Sequence, residues 1–239
     1  MKQLLAVDIN LNGENRQLVV GRPEGREIRD AFRYRYKVYQ ERGHIDANET
    51  GLDIDRCDHQ GLCDYFLARI GRQIVGHVRY IKSSPLPTEQ FFLFEEPAHI
   101  SQLDPGKKVE IGRLIATRYH AAMPRHLTLI CLIKAMVQFA GENGYQGGYA
   151  YLRKYVFDRL MKVAAPVEAV PYSGFDFAQV RKSGENLTGY YFHPEDPVVI
   201  ISFLYSTFQQ WIDYLFDHSD LFASCGEAHY QLKHPLTAA

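Results

Sequence analysis

The sequence predicts an α/β fold in which a mixed central sheet carries helices on its faces. Two apolar runs flank Gly71-Arg72, and a two-residue connection that begins with Gly is typical of a β-hairpin. Apolar and aromatic residues recur at helical spacing from Ile28 to Tyr39. From residue 109 onward, short strand-like runs alternate with helix-like runs, which is the order expected of a sheet covered by helices.

The remaining elements follow the same patterns in chain order. Met1–Asn10 is predicted to form a strand, a short apolar piece ends at Gly21, and the first helix stops near Gly43. The whole order is predicted to be β-α-ββ-β-α-β-α-β-β. Its later members are the hairpin strands Tyr65–Ile70 and Gln73–Ile81, strand Val109–Thr117, helix Leu127–Ala140, strand Tyr145–Leu152, helix Lys154–Val163, and strands Val167–Pro171 and Leu187–His193.

Two stretches lack periodicity. His44–Gln60 is polar and acidic, and we interpret it as a long ordered loop of the kind that often has a function. Pro85–Pro105 is the best candidate for an insertion, and its Phe91-Phe92-Leu93-Phe94 cluster is expected to dock on the body of the domain.

The apolar run Pro197–Phe216 has the length of a membrane span but contains Gln209, Gln210 and Asp213. Its apolar residues recur at helical spacing, so we expect a helix that packs on the core or forms a dimer contact. We therefore predict a single domain over residues 1–195, with residues 196–239 as a C-terminal helical extension packed on it.

Composition excludes several classes of protein. Lys and Arg number 27 against 28 Asp and Glu, which argues against a nucleic-acid binder. Four sparse cysteines do not suggest a disulfide framework, so a reducing compartment, the cytoplasm by default, is expected. Cys57, His59 and Cys63 lack a second pair of ligands, and no metal site is expected.

Charged residues stand inside apolar strands and on an otherwise apolar helix face. A charge in such a place is costly unless it is paired, and the acidic loop offers partners. The basic residues are Arg35, Arg79 and Arg113, and the acidic ones are Asp53, Asp55, Asp58 and Glu110. One interpretation is an ion-pair network that only clamps the loop to the sheet, and the other is a catalytic site.

These residues, read as motifs, resemble the signature of the acyl-homoserine-lactone synthases. The motifs are Arg35-x-x-Val38-Tyr39, Asp53-x-Asp55-x-x-Asp58, the hairpin Arg79, and Glu110-x-x-Arg113. The long-chain N-acyl amino acid synthases and the acyltransferases that accompany exosortase systems share this skeleton. The chain has Asp53 where the lactone synthases have Glu and Gly112-Arg113-Leu114 where they have Ser-Arg-Phe, so it is placed nearer to these two groups, the N-acyl amino acid synthases and the exosortase-associated acyltransferases.

The resemblance implies a GCN5-related N-acyltransferase fold and transfer of an acyl chain from a carrier-protein or CoA thioester to an amino acid's amine. It implies no bound cofactor, since the acyl thioester is a co-substrate. In this interpretation Glu110 accepts the proton, with Asp55 as the alternative, and Arg113 acts with them. The substrate-binding residues are expected to be Arg35, Asp53, Asp58 and Arg79.

The donor side of the site is less well defined. The loop from Arg118 to His126 has no Gly to cradle a pyrophosphate. A basic patch for an acidic acyl carrier protein is one interpretation, and scattered solvated charge is the other. The patch residues are Arg118, Arg125, His126 and Lys134.

Aromatic and aliphatic residues offer the lining for a long-chain tunnel, or simply fill a solid core. They are Phe91, Phe92, Phe94, Leu129, Leu132, Met136, Phe139 and the apolar face of the C-terminal helix. Two rival functions stay open: an acetyl-CoA-dependent N-acetyltransferase, and a non-catalytic module that binds acyl carriers or acyl amino acids.

Overall fold

The structure is a computed structural model that describes residues 1–11, 13–119, 123, 126–182, 195–217 and 232–233. Its strands are β1 (Lys2–Leu11), β2 (Glu14–Arg22), β3 (Cys63–Ile70), β4 (Gln73–Ile81), β5 (Phe92–Phe94), β6 (Lys108–Ala116), β7 (Gly147–Arg153), β8 (Glu168–Val170), β9 (Tyr172–Phe175), β10 (Val198–Leu204) and β11 (Leu232–Lys233). Its helices are α1 (Arg26–Glu41), α2 (Arg56–His59), α3 (Pro87–Phe91), α4 (Ala98–Ser101), α5 (Leu127–Glu142), α6 (Lys154–Lys162), α7 (Phe177–Lys182) and α8 (Tyr205–Asp217).

The main sheet has the strand order β11-β1-β2-β3-β4-β6-β7-β10-β8, and β5 pairs with β9 in a small separate sheet. Neighbouring strands of the main sheet run antiparallel, except that β6 and β7 are parallel. The α5 helix connects these two strands, as a parallel pair requires. The mixed sheet with helices on its faces confirms the predicted fold class.

Each face of the sheet carries its own apolar core. On one face, α5 and α8 pack over buried residues such as Phe66, Tyr80 and Phe203. On the other face, α1 and the segment from α3 to α4 cover a second cluster that includes Val38, Phe91 and Tyr149. Because strand side chains alternate between faces, β6 and β7 contribute to both cores, with Val109 and Ala150 in the first and Ile115 and Tyr149 in the second.

The parallel pair β6 and β7 separates before it ends. Its register runs from Lys108 opposite Gly147 to Ile111 opposite Ala150. Both strands continue beyond these residues, to Ala116 and Arg153, without pairing to each other. The sheet therefore opens between the carboxyl halves of β6 and β7.

The helix predicted over residues 197–216 is wrong in its first part. Residues 198–204 form β10, which lies between β7 and β8 and pairs with both. A strand covered on both faces has a continuous apolar run rather than alternation, which is why Val198–Leu204 resembled a helical segment. Only Tyr205–Asp217 is helical, so one part of the predicted helical extension, Val198–Leu204, belongs to the sheet. The division of the chain at residue 195 stays a prediction.

Other expectations are met closely. The hairpin turns at Gly71, whose φ of 58° suits a residue without a side chain. The expected insertion docks through Phe91 and Phe92, which are buried. The strand predicted at Leu187–His193 lies outside the described residues. Among the residues described, no helix is long and apolar enough to span a membrane.

Candidate active site

Helix α1 carries a fully buried arginine on its apolar face. Arg35 shares that face with Ala31, Val38 and Tyr39, at helical spacing. Its Nε donates to Asp53 Oδ2 at 2.9 Å, and its Nη2 donates to Asp58 Oδ2 at 2.9 Å. The guanidinium is therefore paired on both sides, which offsets the cost of burying it.

The acidic loop is ordered by its own hydrogen bonds. The N–H of Asp53 donates to the carbonyl of Phe32 in α1 at 3.2 Å. Asp55 and Asp58 form a capping box at α2, because the carboxylate of each accepts the backbone N–H of the other, at 3.1 and 3.2 Å. These bonds hold the three carboxylates in place against the sheet.

Strands β4 and β6 supply two further arginines, Arg79 and Arg113. Arg79 donates to Asp58 Oδ1 at 2.8 Å and also to Asp55. Arg113 donates from Nε to Asp53 Oδ2 at 2.9 Å and from Nη2 to Asp55 Oδ2 at 3.3 Å. Each aspartate thus bridges two arginines, and the ion pairs close into a ring in the order Arg35, Asp53, Arg113, Asp55, Arg79, Asp58. We call these six side chains the ion-pair ring.

The ring sets the protonation states of its members. Burial alone would raise the pKa of the Asp53 carboxyl, but the charges of Arg113 and Arg35 outweigh it and hold that pKa below its ordinary value. The pKa of Asp58 is lowered in the same way, against burial, by Arg79 and Arg35. Burial would lower the pKa of Arg35, yet Asp53 and Asp58 raise it. All six groups are therefore charged at neutral pH.

Glu110 lies beside the ring without belonging to it. It is fully buried, and its Oε2 accepts the backbone N–H of Thr88 at 2.6 Å. In the register of β4 and β6, Ile81 faces Glu110 and Arg79 faces Gly112. Because side chains alternate along a strand, Glu110 lies on the same face as Gly112 and Arg79.

A β-bulge interrupts β6 at Arg113. The register with β4 shifts between His77 and Arg79, and Arg113 has a φ of 56°, in the left-handed region. His77 is fully buried on β4, and its Nδ1 lies 3.1 Å from the Arg113 carbonyl oxygen. Burial, with the charge of Arg35 as the second cause, lowers the pKa of His77 to about 3. The imidazole of His77 is therefore neutral, and its Nδ1 donates to the Arg113 carbonyl.

An apolar cavity of about 140 Å³ begins where β6 and β7 separate. Gly112, Arg113 and Leu114 of β6 border it, and Tyr39 lies at the same end. Its interior is lined by apolar side chains of α5, α6, α8 and the neighbouring strands: Ile111, Leu129, Ile133, Met136, Ala150, Leu152, Val156, Leu160, Ile201, Phe203 and Phe208. We call this space the apolar cavity. It reaches from the ion-pair ring into the core beneath α5 and α8.

A second, more polar cavity of about 270 Å³ also borders the ring. Asp55 and Arg79 of the ring border it, together with Cys57, Lys82 and Phe91. Glu110 does not line either of these two cavities. The ring therefore borders both cavities, through Arg113 on the apolar one and through Asp55 and Arg79 on the polar one.

The family is decided by the sequence comparison. The model of the FeeM N-acyl amino acid synthases matches residues 30–155, which is more than half of the 239-residue chain. The chain belongs to this family. The matched segment contains every member of the ion-pair ring, Glu110 and the start of the apolar cavity. This synthase is an acyltransferase that joins an acyl chain to an amine, as the sequence predicts.

Solved structures share the fold of the synthase. MesI, a CoA-dependent acyl-homoserine lactone synthase, aligns with a TM-score of 0.54 and 15% identity over 81% of this chain and 89% of its own. The AHL synthase LasI aligns with a TM-score of 0.51 and 13% identity, over 79% and 89%. FeeM, an N-acyl amino acid synthase from uncultured soil microbes, aligns with a TM-score of 0.50 and 12% identity, over 82% and 93%. No curated protein sequence matches the chain significantly.

The residues expected on the donor side of the synthase do not form one group. Arg118 is exposed, and His126 is partly buried immediately before α5. Lys134 is mostly buried and forms an ion pair with Asp213 of α8, which removes it from a basic patch. Arg125 lies outside the described residues.

The expected tunnel lining is only partly right. Leu129, Met136 and Phe208 border the apolar cavity, whereas Phe91 borders the polar one. Four expected lining residues instead pack into the two cores: Phe92, Phe94, Leu132 and Phe139. His77 was missed by sequence reasoning, and the signal was a histidine within an otherwise apolar strand.

Proposed function

We propose that the synthase transfers a medium-to-long acyl chain from a thioester, carried by an acyl carrier protein or CoA, to the amine of an amino acid. The observation that carries this proposal is the apolar cavity, which opens between β6 and β7 directly beside the ion-pair ring. Burying a methylene group contributes about 0.8 kcal/mol, so an apolar cavity of this kind favours a long chain over an acetyl group.

In the proposed reaction, the amine nitrogen attacks the thioester carbonyl carbon and loses a proton. Because Glu110 lines neither cavity, it accepts that proton through a water molecule, and the tetrahedral intermediate then collapses with loss of the thiolate. The proton passes to the thiolate to give the free thiol, and the nitrogen keeps the acyl group. No covalent intermediate with the enzyme is required.

Glu110 is preferred to Asp55 as the proton acceptor. Both oxygens of Asp55 already accept hydrogen bonds, from the backbone N–H of Asp58 and from Arg79 and Arg113, and the charges of the two arginines hold the pKa of Asp55 below its ordinary value despite burial and the charge of Asp58. A carboxylate so stabilised is a weak base. The ring residues are proposed to hold β6 and the acidic loop in register, rather than to exchange protons.

The donor is proposed to approach the loop between β6 and α5, where Arg118 is exposed and His126 is partly buried. An acidic carrier protein would be attracted to such residues.

The purified enzyme tests the proposal with acetyl, octanoyl and palmitoyl thioesters of CoA and of a carrier protein. Mass spectrometry then detects N-acyl products formed from a mixture of amino acids. We expect octanoyl or palmitoyl transfer to exceed acetyl transfer, and Glu110→Gln to lower kcat by about 10²-fold or more while the fold persists. Transfer that is equal or falls with chain length would contradict the long-chain proposal.

A further inference from the structure

The charged side chains that line the apolar cavity are all basic. They are Arg42, Arg113 and Arg153, with the imidazole of His44 beside them, and no Asp or Glu occurs among the described residues that line this cavity. The other polar lining groups are tyrosines, and the interior is apolar. A ligand that suits this surface has an apolar body and an anionic end.

The basic side chains differ in whether other groups of the protein already bind them. Arg113 is bound by Asp53 and Asp55 in the ring. Arg153 is buried, and its Nη1 donates to the carbonyl of Asp196 at 2.7 Å. Asp196 also accepts the N–H of Tyr155 at the start of α6. These groups are held by the protein itself, so they are poorly suited to bind an incoming anion.

Arg42 differs from them. It follows the last residue of α1, its side chain is exposed, and it forms no ion pair with the described parts of the chain. His44, which follows two residues later, lines the same end of the cavity, and its ring lies 5.8 Å from that of Tyr39. A guanidinium presents a planar fork that matches a carboxylate in a bidentate fashion.

We propose that Arg42 binds the free carboxylate of the acceptor amino acid, and afterwards that of the N-acyl product, while the acyl chain occupies the apolar cavity. This rests on the proposed function, and it names the residue that recognises the carboxylate of the acceptor. The N-acyl product is itself an apolar chain with a carboxylate at one end, which complements an apolar lining whose charged groups are basic.

The guanidinium of Arg42 is also suited to a second kind of anion, the phosphate groups of a CoA donor. The test therefore compares three probes by titration calorimetry, without any donor: N-dodecanoylglycine, its uncharged amide N-dodecanoylglycinamide, and CoA. Each is measured with the wild-type enzyme, with Arg42→Gln, and with Arg33→Gln. Arg33 is the matched control because it is an exposed arginine of α1 that pairs with Asp30 and does not line the cavity.

We expect the wild type and Arg33→Gln to bind the acid about tenfold more tightly than the amide, and Arg42→Gln to bind the two equally. In turnover, Arg42→Gln should raise the KM for the amino acid about tenfold with little change in kcat. Equal binding of acid and amide by the wild type would overturn the proposal. So would an Arg42→Gln variant that loses affinity for CoA but still prefers the acid.

Because the binding assay contains no donor, its outcome is separate from that of the turnover assay. An enzyme that prefers the acid through Arg42 but transfers no acyl group would refute the proposed function and leave this assignment intact. An enzyme that transfers acyl groups equally well to amino acids and to their amides would refute this assignment and leave acyl transfer intact.

Discussion

His77 Nδ1 donates a hydrogen bond of 3.1 Å to the carbonyl oxygen of Arg113, across the point where β6 bulges. The left-handed φ of 56° at Arg113 costs about 1–3 kcal/mol for a residue with a side chain, so it persists only where neighbours enforce it. The histidine is one such neighbour. By fixing the carbonyl, it also fixes the direction from which the Arg113 guanidinium reaches Asp53 and Asp55.

Replacing His77 should therefore lower turnover, because the bulge that positions Arg113 loses a hydrogen bond. We expect His77→Leu, which loses the donor, to lower kcat about tenfold with a small change in KM, because it displaces groups near the reacting atoms. His77→Asn places an amide N–H near the position of Nδ1 and should restore most of the loss. Steady-state kinetics of the two variants, at matched folded fractions, check this. Equal activity of both variants would show that the hydrogen bond does not position the site.

The same histidine makes stability depend on pH. In the unfolded chain an imidazole gains a proton below about pH 6.5, whereas in the fold His77 stays neutral down to about 3. The unfolded state therefore binds more protons in this window, and stability falls as the pH is lowered through it. Between pH 7 and pH 5, urea unfolding should show a loss of about 2 kcal/mol in the wild type that is missing from His77→Asn. A parallel pH profile for both proteins would contradict the assigned protonation state.

Much of the site was predictable because burying a charge is costly. Arg35 and Arg79 stand among apolar residues, so carboxylate partners had to exist, and the aspartates of the loop were the natural candidates. The closed ring itself was not predictable, since it depends on the capping box at α2 and on the bulge at Arg113. Neither feature has a sequence pattern strong enough to place a side chain within hydrogen-bonding distance.

The C-terminal segment shows the opposite case. Val198–Leu204 is a continuous apolar run, and periodicity alone does not separate a strand buried on both faces from a buried helix. Its β-branched residues were the available signal. The apolar cavity was also only partly predictable, because Leu129 and Leu132 are equally apolar and the sequence does not say which one faces a space.

Breaking the ion-pair ring should destabilise the fold strongly. Asp53→Asn removes the charge that Arg35 and Arg113 share, and the loss of one partner from a buried pair typically costs about 3–5 kcal/mol. Asp30→Asn, which removes the exposed i,i+3 pair with Arg33, should change stability by less than about 0.5 kcal/mol. Chemical denaturation of the two variants makes the comparison. A loss below about 1 kcal/mol for Asp53→Asn would mean that the ring adds little to stability.

Gly112 should prove important for activity but not for folding. Its φ is not in the left-handed region, and an added Cβ would lie 3.5 Å from Arg79 Nε and 3.6 Å from Ile81 Cδ1, which are ordinary contacts. Gly112→Ala should keep its stability within about 0.5 kcal/mol yet lower kcat/KM about tenfold, since the methyl group would lie against the Arg79 side chain of the ion-pair ring, beside the edge of the apolar cavity. Gly76→Ala is the contrasting control, because its Cβ would lie 2.6 Å from Thr128 Cγ2 and should destabilise the fold. Full activity in a stable Gly112→Ala variant would place the reacting groups elsewhere.

The length of the acyl chain should be controlled from α5. Leu129 is partly buried and lines the apolar cavity, so Leu129→Phe adds volume where a long chain is proposed to lie. If the larger side chain excludes two methylene groups, the loss is about 1.6 kcal/mol, or somewhat more than tenfold in kcat/KM, for palmitoyl donors. Octanoyl donors, which are proposed to fill less of the cavity, should lose little.

Leu93→Phe, a matched change at a side chain that is 59% exposed and does not line the cavity, should leave the ratio of palmitoyl to octanoyl turnover unchanged. Competition between the two donors in one reaction measures this ratio directly, and a Leu129→Phe enzyme with the wild-type ratio would place the acyl chain outside the apolar cavity.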